Sequence, residues 1–391
     1  METKKILKSG YTTGSHATSA LKAALFSLLT GKTDLKTISI NLPEGDDVEL
    51  DIDNIKKTDN YVQVSVLKSD NDDIDVTKGC KIICWAGYNL DEIPYLKQEI
   101  SHQPHNLQLE SGQLLIWAGK GLGIVTKKGL DTPVGFPAIN PVPLGMMKES
   151  ADQVFKELNI KDNKEIFIVF EVENGEEIAK NTANAKAGIL GGLSFIGKKG
   201  VVKPISSEAY LDSLAAEINV AAQNGIKNII FTMGNSSLKF AENNYQPEEY
   251  IVEIGNFVFD SLKLLAEQEF NKVTIVTNIG KLTKIAQGKK NTNNRYGDID
   301  FNLVKCWLEK EEFPAIITSI CDDITIIGSL EKTIIAEYSE YSDKFYQIII
   351  NNALNELKNW AIELNLKNIQ IEIILTDGDR VKYRSLYAKS Y

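Results

Sequence analysis

The spacing of hydrophobic and polar positions changes along the chain, and the changes predict different elements in its two halves. In residues 15–30 apolar side chains recur at the spacing of one helical face, with Ser15 placed to cap a helix and Gly31 placed to end it. From Thr37 to Trp117 short β-branched runs such as ISINLP, VQVSVL and KIICWAG are separated by polar turns, which predicts mainly sheet. A helix over 147–158 and a strand over 165–173 complete an α+β first half.

After residue 206 predicted helices and strands alternate. Helices over 208–224 and 256–268 flank the strand IKNIIFTMGN, and the strand NKVTIVTN leads into a helix at Gly280. The later segments AIITSI, a long helix over 342–364 and IQIEIILTD are expected to continue this pattern. Such alternation predicts βα units and a parallel sheet. The fold class is therefore α/β and α+β in two domains: an α+β domain with a mixed sheet over 1–206, and an α/β domain with a largely parallel sheet over 207–391.

In open α/β sheets, ligands bind beyond the carboxyl ends of the strands, which selects the turns 233–237 and 278–281. Gly234 and Asn235 are candidate cofactor-binding residues on this ground. The same turns could equally be plain βα connections, since every such fold contains short polar turns.

The segment GKGLGIVTKKGLDTPVGFPAINPVP, residues 119–143, is the most unusual part of the sequence. Gly119, Gly121 and Gly123 permit close approach of a ligand, and four prolines fix the backbone beyond them. A phosphate loop would need a helix directly after the glycines, and we expect the prolines to prevent helix from Pro133 onward. The segment is predicted to be either a shaped ligand-binding surface or a glycine-rich hairpin packed over a sheet.

Composition and charge argue against a membrane protein and against a nucleic-acid-binding protein. No run approaches the roughly 20 apolar residues that span a membrane, and we expect a cytoplasmic protein without a membrane partner. A net charge of −10 argues against a nucleic-acid partner. Three windows nevertheless carry lysine or arginine and no acid, namely 111–130, 192–206 and 279–296, and these could meet an anion or be solvated surface. The sequence does not specify an oligomeric state, and a homodimer is one option.

Metal and disulfide sites are not expected. Four scattered cysteines suit neither a disulfide framework nor zinc, and Cys80 and Cys84 are expected to be small hydrophobes in a strand. The acidic segment that begins at Asp70 lacks the Gly and Glu of a calcium loop, because Asp75 and Lys81 stand at those positions.

Five segments together resemble one family, the CbiD proteins of anaerobic cobalamin biosynthesis. They occur in the family's order and cover residues 10–295, and the Gly/Pro segment is the most specific of them. The five segments are GYTTGSHATSALKAA, KSDNDDIDVTKG, GIVTKKGL with PVGFPAINPVP, GILGGLSFIGKKGVVKPIS, and IGKLTKIAQGKKNTNNR supported by MGNSSLKFA.

The resemblance implies an enzyme that transfers a methyl group from S-adenosylmethionine to C1 of cobalt-precorrin-5B, giving cobalt-precorrin-6A. It also implies candidate site residues. Those for catalysis are Asp72, Asp73 and His16; those for the cofactor are Gly119, Gly121, Gly123, Gly234 and Asn235; those for the anionic substrate are Thr12, Thr13, Lys198, Lys199, Lys281, Asn291, Thr292 and Arg295. No metal ligand is implied.

This chain departs from the family pattern at three positions. It has His16 where the family usually has Cys, and Asn278 and Asn293 where the family usually has His. Because an amide does not exchange a proton near neutral pH, acid-base roles at the two asparagines are in doubt. An alternative is therefore a corrinoid-binding protein without catalytic activity. A phosphotransferase that uses GKGLG is a weaker alternative, since no Walker-type Gly-Lys-Ser/Thr follows.

Overall fold

The computed structural model describes residues 8–72, 75–93, 102–161, 164–202, 207–245, 250–366 and 368–387. Internal contacts divide the chain into two compact units, Met1–Ala209 and Tyr210–Tyr391. The sequence places the domain boundary at 206, slightly before this division.

The first unit combines three helices with fourteen strands among the described residues. The helices are α1 (Thr13–Thr30), α2 (Pro141–Glu157) and α3 (Gly175–Ala179), with a 3₁₀ turn at Leu90–Glu92. The strands are β1 (Gly10–Tyr11), β2 (Thr37–Asn41), β3 (Asp47–Asp51), β4 (Asn54–Lys57), β5 (Tyr61–Leu67), β6 (Lys81–Gly87), β7 (His105–Leu109), β8 (Gly112–Ala118), β9 (Gly121–Leu122), β10 (Ile124–Val125), β11 (Lys164–Val172), β12 (Ile189–Leu190), β13 (Gly192–Leu193) and β14 (Val201–Val202).

One mixed sheet organises this unit. Its strand order is β4-β5-β6-β11-β8-β7, in which β11 and β8 are parallel and the other neighbours are antiparallel. Four short pairs accompany it: β1 with β14, β2 with β3, β9 with β13, and β10 with β12. The predicted combination of a mixed sheet with separate helices is confirmed.

The core of the first unit lies between this sheet and the helices α1 and α2. Ala17, Leu21 and Leu25 of α1 are fully buried in one cluster with Ile168 and Phe170 of β11. Burying an apolar side chain of this size contributes roughly 1.5–3 kcal/mol, so packing of this face is the main stabilisation of α1.

Two predicted helix starts are wrong for identifiable reasons. The side chain of Thr12, not of Ser15, caps α1 by accepting a hydrogen bond from the Ser15 N–H, while Gly31 ends the helix in the left-handed conformation as predicted. Helix α2 begins at Pro141, inside the segment where we expected prolines to prevent helix. Pro141 and Pro143 lie in the first turn, where the backbone N–H has no helical partner and proline is tolerated.

The second unit contains eight helices and five strands in the part that the structure describes. The helices are α4 (Ser207–Gln223), α5 (Asn235–Asn244), α6 (Val258–Leu265), α7 (Ile279–Ala286), α8 (Phe301–Lys310), α9 (Ala315–Ser319), α10 (Ile327–Glu337) and α11 (Ser342–Glu363). The strands are β15 (Asn228–Thr232), β16 (Tyr250–Glu253), β17 (Lys272–Thr277), β18 (Gln370–Thr376) and β19 (Val381–Tyr387), and 3₁₀ turns lie at Asn294–Tyr296, Ile320–Asp322 and Ser339–Tyr341.

The sheet of this unit has the order β16-β15-β17-β18-β19, parallel except for β19. This confirms the largely parallel sheet. Segment AIITSI, however, forms helix α9 and not a strand of the alternating pattern. Its β-branched residues favour a strand locally, but Ile317 is fully buried in the helical part of the core, so tertiary packing decides its state.

Candidate functional site

Four of the five family-like segments meet at one edge of the sheet in the first unit. Strands β8 and β11 are parallel, so the chain leaves both at the same edge, into the Gly/Pro segment and into residues 173–202. The loop 68–80 joins β5 to β6 at this edge, where the Glu173 N–H donates to the Lys81 carbonyl at 2.9 Å. The start of α1 joins them through the Gly14 N–H, which donates to the Ile196 carbonyl at 3.1 Å. We call this place the first edge.

Thr12 and Thr13 hold segments of the first edge together. The Thr13 hydroxyl donates to the Ser194 carbonyl and accepts from the Ile196 N–H, each at 3.1 Å. The Thr12 N–H donates to the Gly200 carbonyl at 3.0 Å, and both side chains are buried. The polar groups of Thr12 and Thr13 named here are therefore already hydrogen-bonded to other parts of the protein.

His16 is buried one turn further along α1. Its Nε2 accepts from the Ser69 N–H at 3.0 Å, so Nδ1 carries the proton and donates to the Thr12 carbonyl at 2.8 Å. Burial lowers the pKa of His16 to about 4, although the bond to Thr12 partly offsets this. The neutral ring therefore bridges α1 to the acidic loop, and neither nitrogen points to a vacant position.

The acidic loop is itself anchored by its carboxylates. Asp72 is exposed; its Oδ2 accepts from the Lys8 N–H at 2.8 Å, and its own N–H donates to the Lys8 carbonyl at 2.9 Å. Asp75 is paired with the buried Lys68. Burial opposes ionisation of Asp75, but hydrogen bonds from Lys68 and Thr77 prevail and lower its pKa to about 2. Asp73 lies outside the described residues.

The three alternate glycines approach protein atoms closely. A Cβ on Gly121, whose φ is +81°, would lie 2.1 Å from the Val172 carbonyl oxygen, and one on Gly123 would lie 2.4 Å from a side-chain carbon of Ile189. A Cβ on Gly119 would lie 2.6 Å from Cγ of Glu171. The predicted close approach exists, but at these positions the chain's own β11 and β12 occupy the space.

Glu171 is a further candidate residue at the first edge that the sequence motifs did not select. It is 7% exposed, its Oε2 accepts from the Trp85 indole N–H at 3.2 Å, and its Oε1 has no partner among the described residues. Burial raises its pKa, which the Trp85 bond and the charge of Lys120 partly counteract. A charged residue inside the apolar strand IFIVFEV was the available signal.

The turns of the second unit meet at the carboxyl edge of its sheet, which we call the second edge. Gly234 follows β15 with φ +105° and precedes α5, and its ideal Cβ would lie 3.5 Å from Nζ of Lys281. Lys281, in the first turn of α7, donates to the Gly255 carbonyl at 3.1 Å. Burial lowers its pKa. The structure thus brings Gly234, Asn235 and Lys281 together.

Asn278 and Asn293 both cap helical turns. Asn278 Oδ1 accepts from the Lys281 N–H at 3.0 Å at the start of α7, and Asn293 Oδ1 accepts from the Arg295 N–H at 3.1 Å. Asparagine is among the preferred residues at this position. Each asparagine therefore has a local structural role that needs no acid–base chemistry.

The remaining basic and polar candidates lie in two places. Thr292 is buried and tied to Asn256 by its hydroxyl at 3.0 Å, and Asn291 Oδ1 accepts from the Asn293 N–H in the same segment. Arg295 is exposed and packs over the Tyr296 ring. Lys198 and Lys199 lie in the first unit, where Lys199 pairs with Glu208 at 3.2 Å.

Two other features are absent from the described residues. No described group of three or more His, Cys, Asp or Glu side chains has an arrangement that could hold a metal ion. Within the same ranges, none of the helices combines the length and apolar character needed to cross a membrane.

The chain is similar to several known proteins. The CbiD family model matches residues 1–204. A cobalt-precorrin-5B C(1)-methyltransferase of Geobacillus sp. (strain WCH70) is 38% identical over 312 residues, 79% of this chain and 79% of that protein. The enzymes of the same name from Clostridioides difficile and Methanocaldococcus jannaschii are 31% and 36% identical, over 99% and 93% of this chain and 95% of each relative.

A crystal structure of a cobalamin biosynthesis protein (cbiD) from Archaeoglobus fulgidus aligns with a TM-score of 0.36 and 24% identity, over 74% of this chain and 83% of that chain. The family assignment depends on the sequence matches. Since the family model covers more than half of the chain and a relative above 30% identity spans nearly all of it, the chain belongs to the CbiD family.

Proposed function

We propose that this protein transfers a methyl group from S-adenosylmethionine to C1 of cobalt-precorrin-5B, giving cobalt-precorrin-6A and S-adenosylhomocysteine in anaerobic cobalamin biosynthesis. The observation that carries the proposal is that relatives with this activity in their names align over almost the whole chain. Four of the segments that resemble the family also meet at the first edge, and the fifth lies at the second edge.

The methyl donor supplies an activated sulfonium carbon, to which C1 gives an electron pair while the carbon–sulfur bond pair goes to sulfur. The protein's task is then chiefly alignment, which can contribute roughly 7–11 kcal/mol. Buried polar atoms without partners at the first edge, Glu171 Oε1 and Trp117 Nε1, fit a polar ligand of this kind. Of the three predicted cofactor glycines, Gly119 acts there by letting the backbone pack against Glu171, while Gly121 and Gly123 allow close packing against Val172 and Ile189.

At the second edge we assign Lys281 to the substrate, whose acetate and propionate groups are anionic. Gly234 and Asn235 are predicted cofactor-binding residues, and we now propose them for the substrate as well, because Lys281 lies beside them. The N–H groups of Asn235 and Ser236 have no hydrogen-bond partner among the described residues, and both residues are exposed. Exposed N–H groups at a helix start favour an anion, and Lys281 adds a positive charge beside them. Asn291, Thr292 and Arg295 belong to the same proposed site.

The residues of the α1 start take positioning roles in this proposal. Thr12, Thr13 and His16 hold the acidic loop and residues 194–200 in place through backbone hydrogen bonds. Asp72 and Asp73 remain proposed catalytic residues of the acidic loop, and Lys198 and Lys199 remain proposed substrate contacts.

An anaerobic assay with cobalt-precorrin-5B and S-adenosylmethionine tests the activity. We expect a product heavier by one methyl group and stoichiometric S-adenosylhomocysteine. Equilibrium dialysis with each ligand separates the alternatives. A protein that binds the corrinoid but never S-adenosylmethionine would be a binding protein and not a methyltransferase.

Substitution Lys281→Met tests the second edge. Loss of a charge-assisted hydrogen bond costs about 1.5–3 kcal/mol, so KM for the corrinoid should rise roughly tenfold or more at low salt. The rise should shrink at high salt, because Lys281 is only partly buried and its attraction to a bound anion is partly screened. Lys227→Met is the matched control, since Lys227 precedes β15 at the opposite edge and pairs with Glu269. An unchanged KM in Lys281→Met would remove this lysine from the site.

A further inference from the structure

Glu171 differs from the other buried carboxylates whose partners the structure describes. Glu331 is paired with Lys382 at 2.8 Å, and Glu372 is paired with Lys272 at 2.8 Å and also with Arg384. Glu171 is buried to a similar degree but has no described cation within ion-pair distance. The charge of Lys120 offsets this burial only in part and no described ion pair joins the two, so a cationic ligand would offset the desolvation penalty that remains.

A second polar atom without a partner lies on the neighbouring strand. Trp117 Nε1 on β8 is buried and has no described acceptor. Trp117 is the register neighbour of Val169 on β11, so it shares a sheet face with Glu171, two residues further along. Each such atom costs about 1–3 kcal/mol unless something pairs with it.

The surroundings of these two atoms are aromatic and lie at the first edge. Trp85 donates to the other oxygen of Glu171, Tyr61 packs on Trp85 with ring centroids 5.4 Å apart, and His102 packs on Trp117 at 5.5 Å. Gly119 leaves the room that the Glu171 side chain occupies. The carboxylate is therefore held in a fixed position, with one oxygen uncommitted.

The two atoms define the ligand chemistry. Glu171 Oε1 can accept a hydrogen bond, preferably from a positively charged donor. The Trp117 indole N–H can donate a hydrogen bond. Trp117 and Glu171 are diagonal neighbours on adjacent strands, roughly 7–8 Å apart at the backbone, and both have long side chains that can contact one group between them. An α-amino-acid group has an ammonium and a carboxylate on one carbon and matches this pair. A phosphate matches only one half of it, and an alcohol, which can donate and accept, would bring no positive charge to the carboxylate.

We propose that Glu171 and Trp117 bind the amino-acid end of the methyl donor, with Glu171 Oε1 accepting from its α-ammonium and Trp117 Nε1 donating to its α-carboxylate. This inference rests on the proposed function, because S-adenosylmethionine carries such an end. It adds two binding residues and places the amino-acid end of the donor at the first edge.

Titration calorimetry with S-adenosylhomocysteine and with 5′-methylthioadenosine, which lacks the amino-acid end, tests the proposal on the intact protein. Glu171→Gln should weaken S-adenosylhomocysteine binding roughly 10- to 100-fold, the loss of a hydrogen bond between charged groups. Binding of 5′-methylthioadenosine should stay within about twofold. Trp117→Phe keeps a ring without the N–H and should weaken S-adenosylhomocysteine binding by roughly 2- to 10-fold.

Glu165→Gln is the matched control, because Glu165 lies on the same strand and the same face but at the opposite, exposed end. It should leave both affinities unchanged. Unchanged S-adenosylhomocysteine affinity in Glu171→Gln, or an equal loss for both ligands, would overturn the inference while leaving the proposed function standing. If the unmodified protein binds no S-adenosylhomocysteine, both this inference and the proposed function are wrong. Thermal unfolding without ligand verifies that each variant is folded.

Discussion

His16 shows how one side chain can couple two motifs through backbone hydrogen bonds. The ring accepts from the Ser69 N–H and donates to the Thr12 carbonyl, so it must be neutral and hold one tautomer. The family resemblance gave His16 as a candidate catalytic residue. Only the packed structure gives it two backbone partners, since Ser69 is distant in sequence.

The pKa of His16 makes a prediction about stability. Its pKa falls from 6.5 to about 4, mainly through burial. Because the unfolded chain takes up the proton at the higher pH, the stabilisation is complete above about pH 6.5 and is lost as the pH falls toward 4, by up to about 3 kcal/mol. Urea denaturation over this range should show the loss in the unmodified protein.

The variant His16→Gln identifies the source of this loss, since glutamine offers an acceptor and a donor but does not titrate. Its free energy of unfolding should depend less on pH between 6.5 and 4. Parallel pH curves for the two proteins would contradict the assignment. At pH 7 we expect methyl transfer to stay within a few fold; a large fall in kcat with an intact fold would restore His16 as a catalytic residue.

At the scale of elements, the Gly/Pro segment is built by close backbone packing. Strand β9 pairs with β13 through Gly121 and Gly192, and a Cβ on Gly192 would lie 2.0 Å from the Gly121 carbonyl oxygen. Gly175, at the start of α3, has the same oxygen 2.2 Å from its own ideal Cβ. Three glycines from separate parts of the sequence therefore share one contact.

This packing predicts that Gly121→Ala destabilises the first unit by several kcal/mol. The added Cβ would overlap the Val172 carbonyl and strain a φ of +81°. Gly145→Ala in α2 is the control, because nothing lies within 4 Å of its ideal Cβ and alanine favours helix by up to about 1 kcal/mol. Thermal unfolding compares them. Equal midpoints for Gly121→Ala and the unmodified protein would contradict the tight contact.

At the scale of the whole molecule, each unit has its own core, and α4 belongs to the core of the second. Leu214, Ile218 and Ala221 of α4 are buried in one cluster with Phe231 of β15. The predicted domain boundary at 206 precedes this helix. That boundary stays a prediction, and it has a direct consequence for fragments of the chain.

Residues 207–391 should fold alone and unfold cooperatively in urea, because α4 and the sheet keep their shared core. A fragment of 224–391 lacks α4 and should be far less stable, since it exposes the apolar surface that Leu214 and Ile218 cover. Circular dichroism during urea titration measures both. Equal stability of the two fragments, or no cooperative transition in 207–391, would contradict this account.

The sequence by itself determined the fold class, most helix and strand positions and the family, because periodicity, turn residues and motif order are local properties. It also selected the segments that meet at the first edge. Tertiary structure alone decided that Gly119 approaches Glu171, that Asn278 caps α7 beside Gly234, and that AIITS is a helix. These outcomes depend on which distant residues become neighbours. The uncommitted oxygen of Glu171 is visible only once three strands lie side by side.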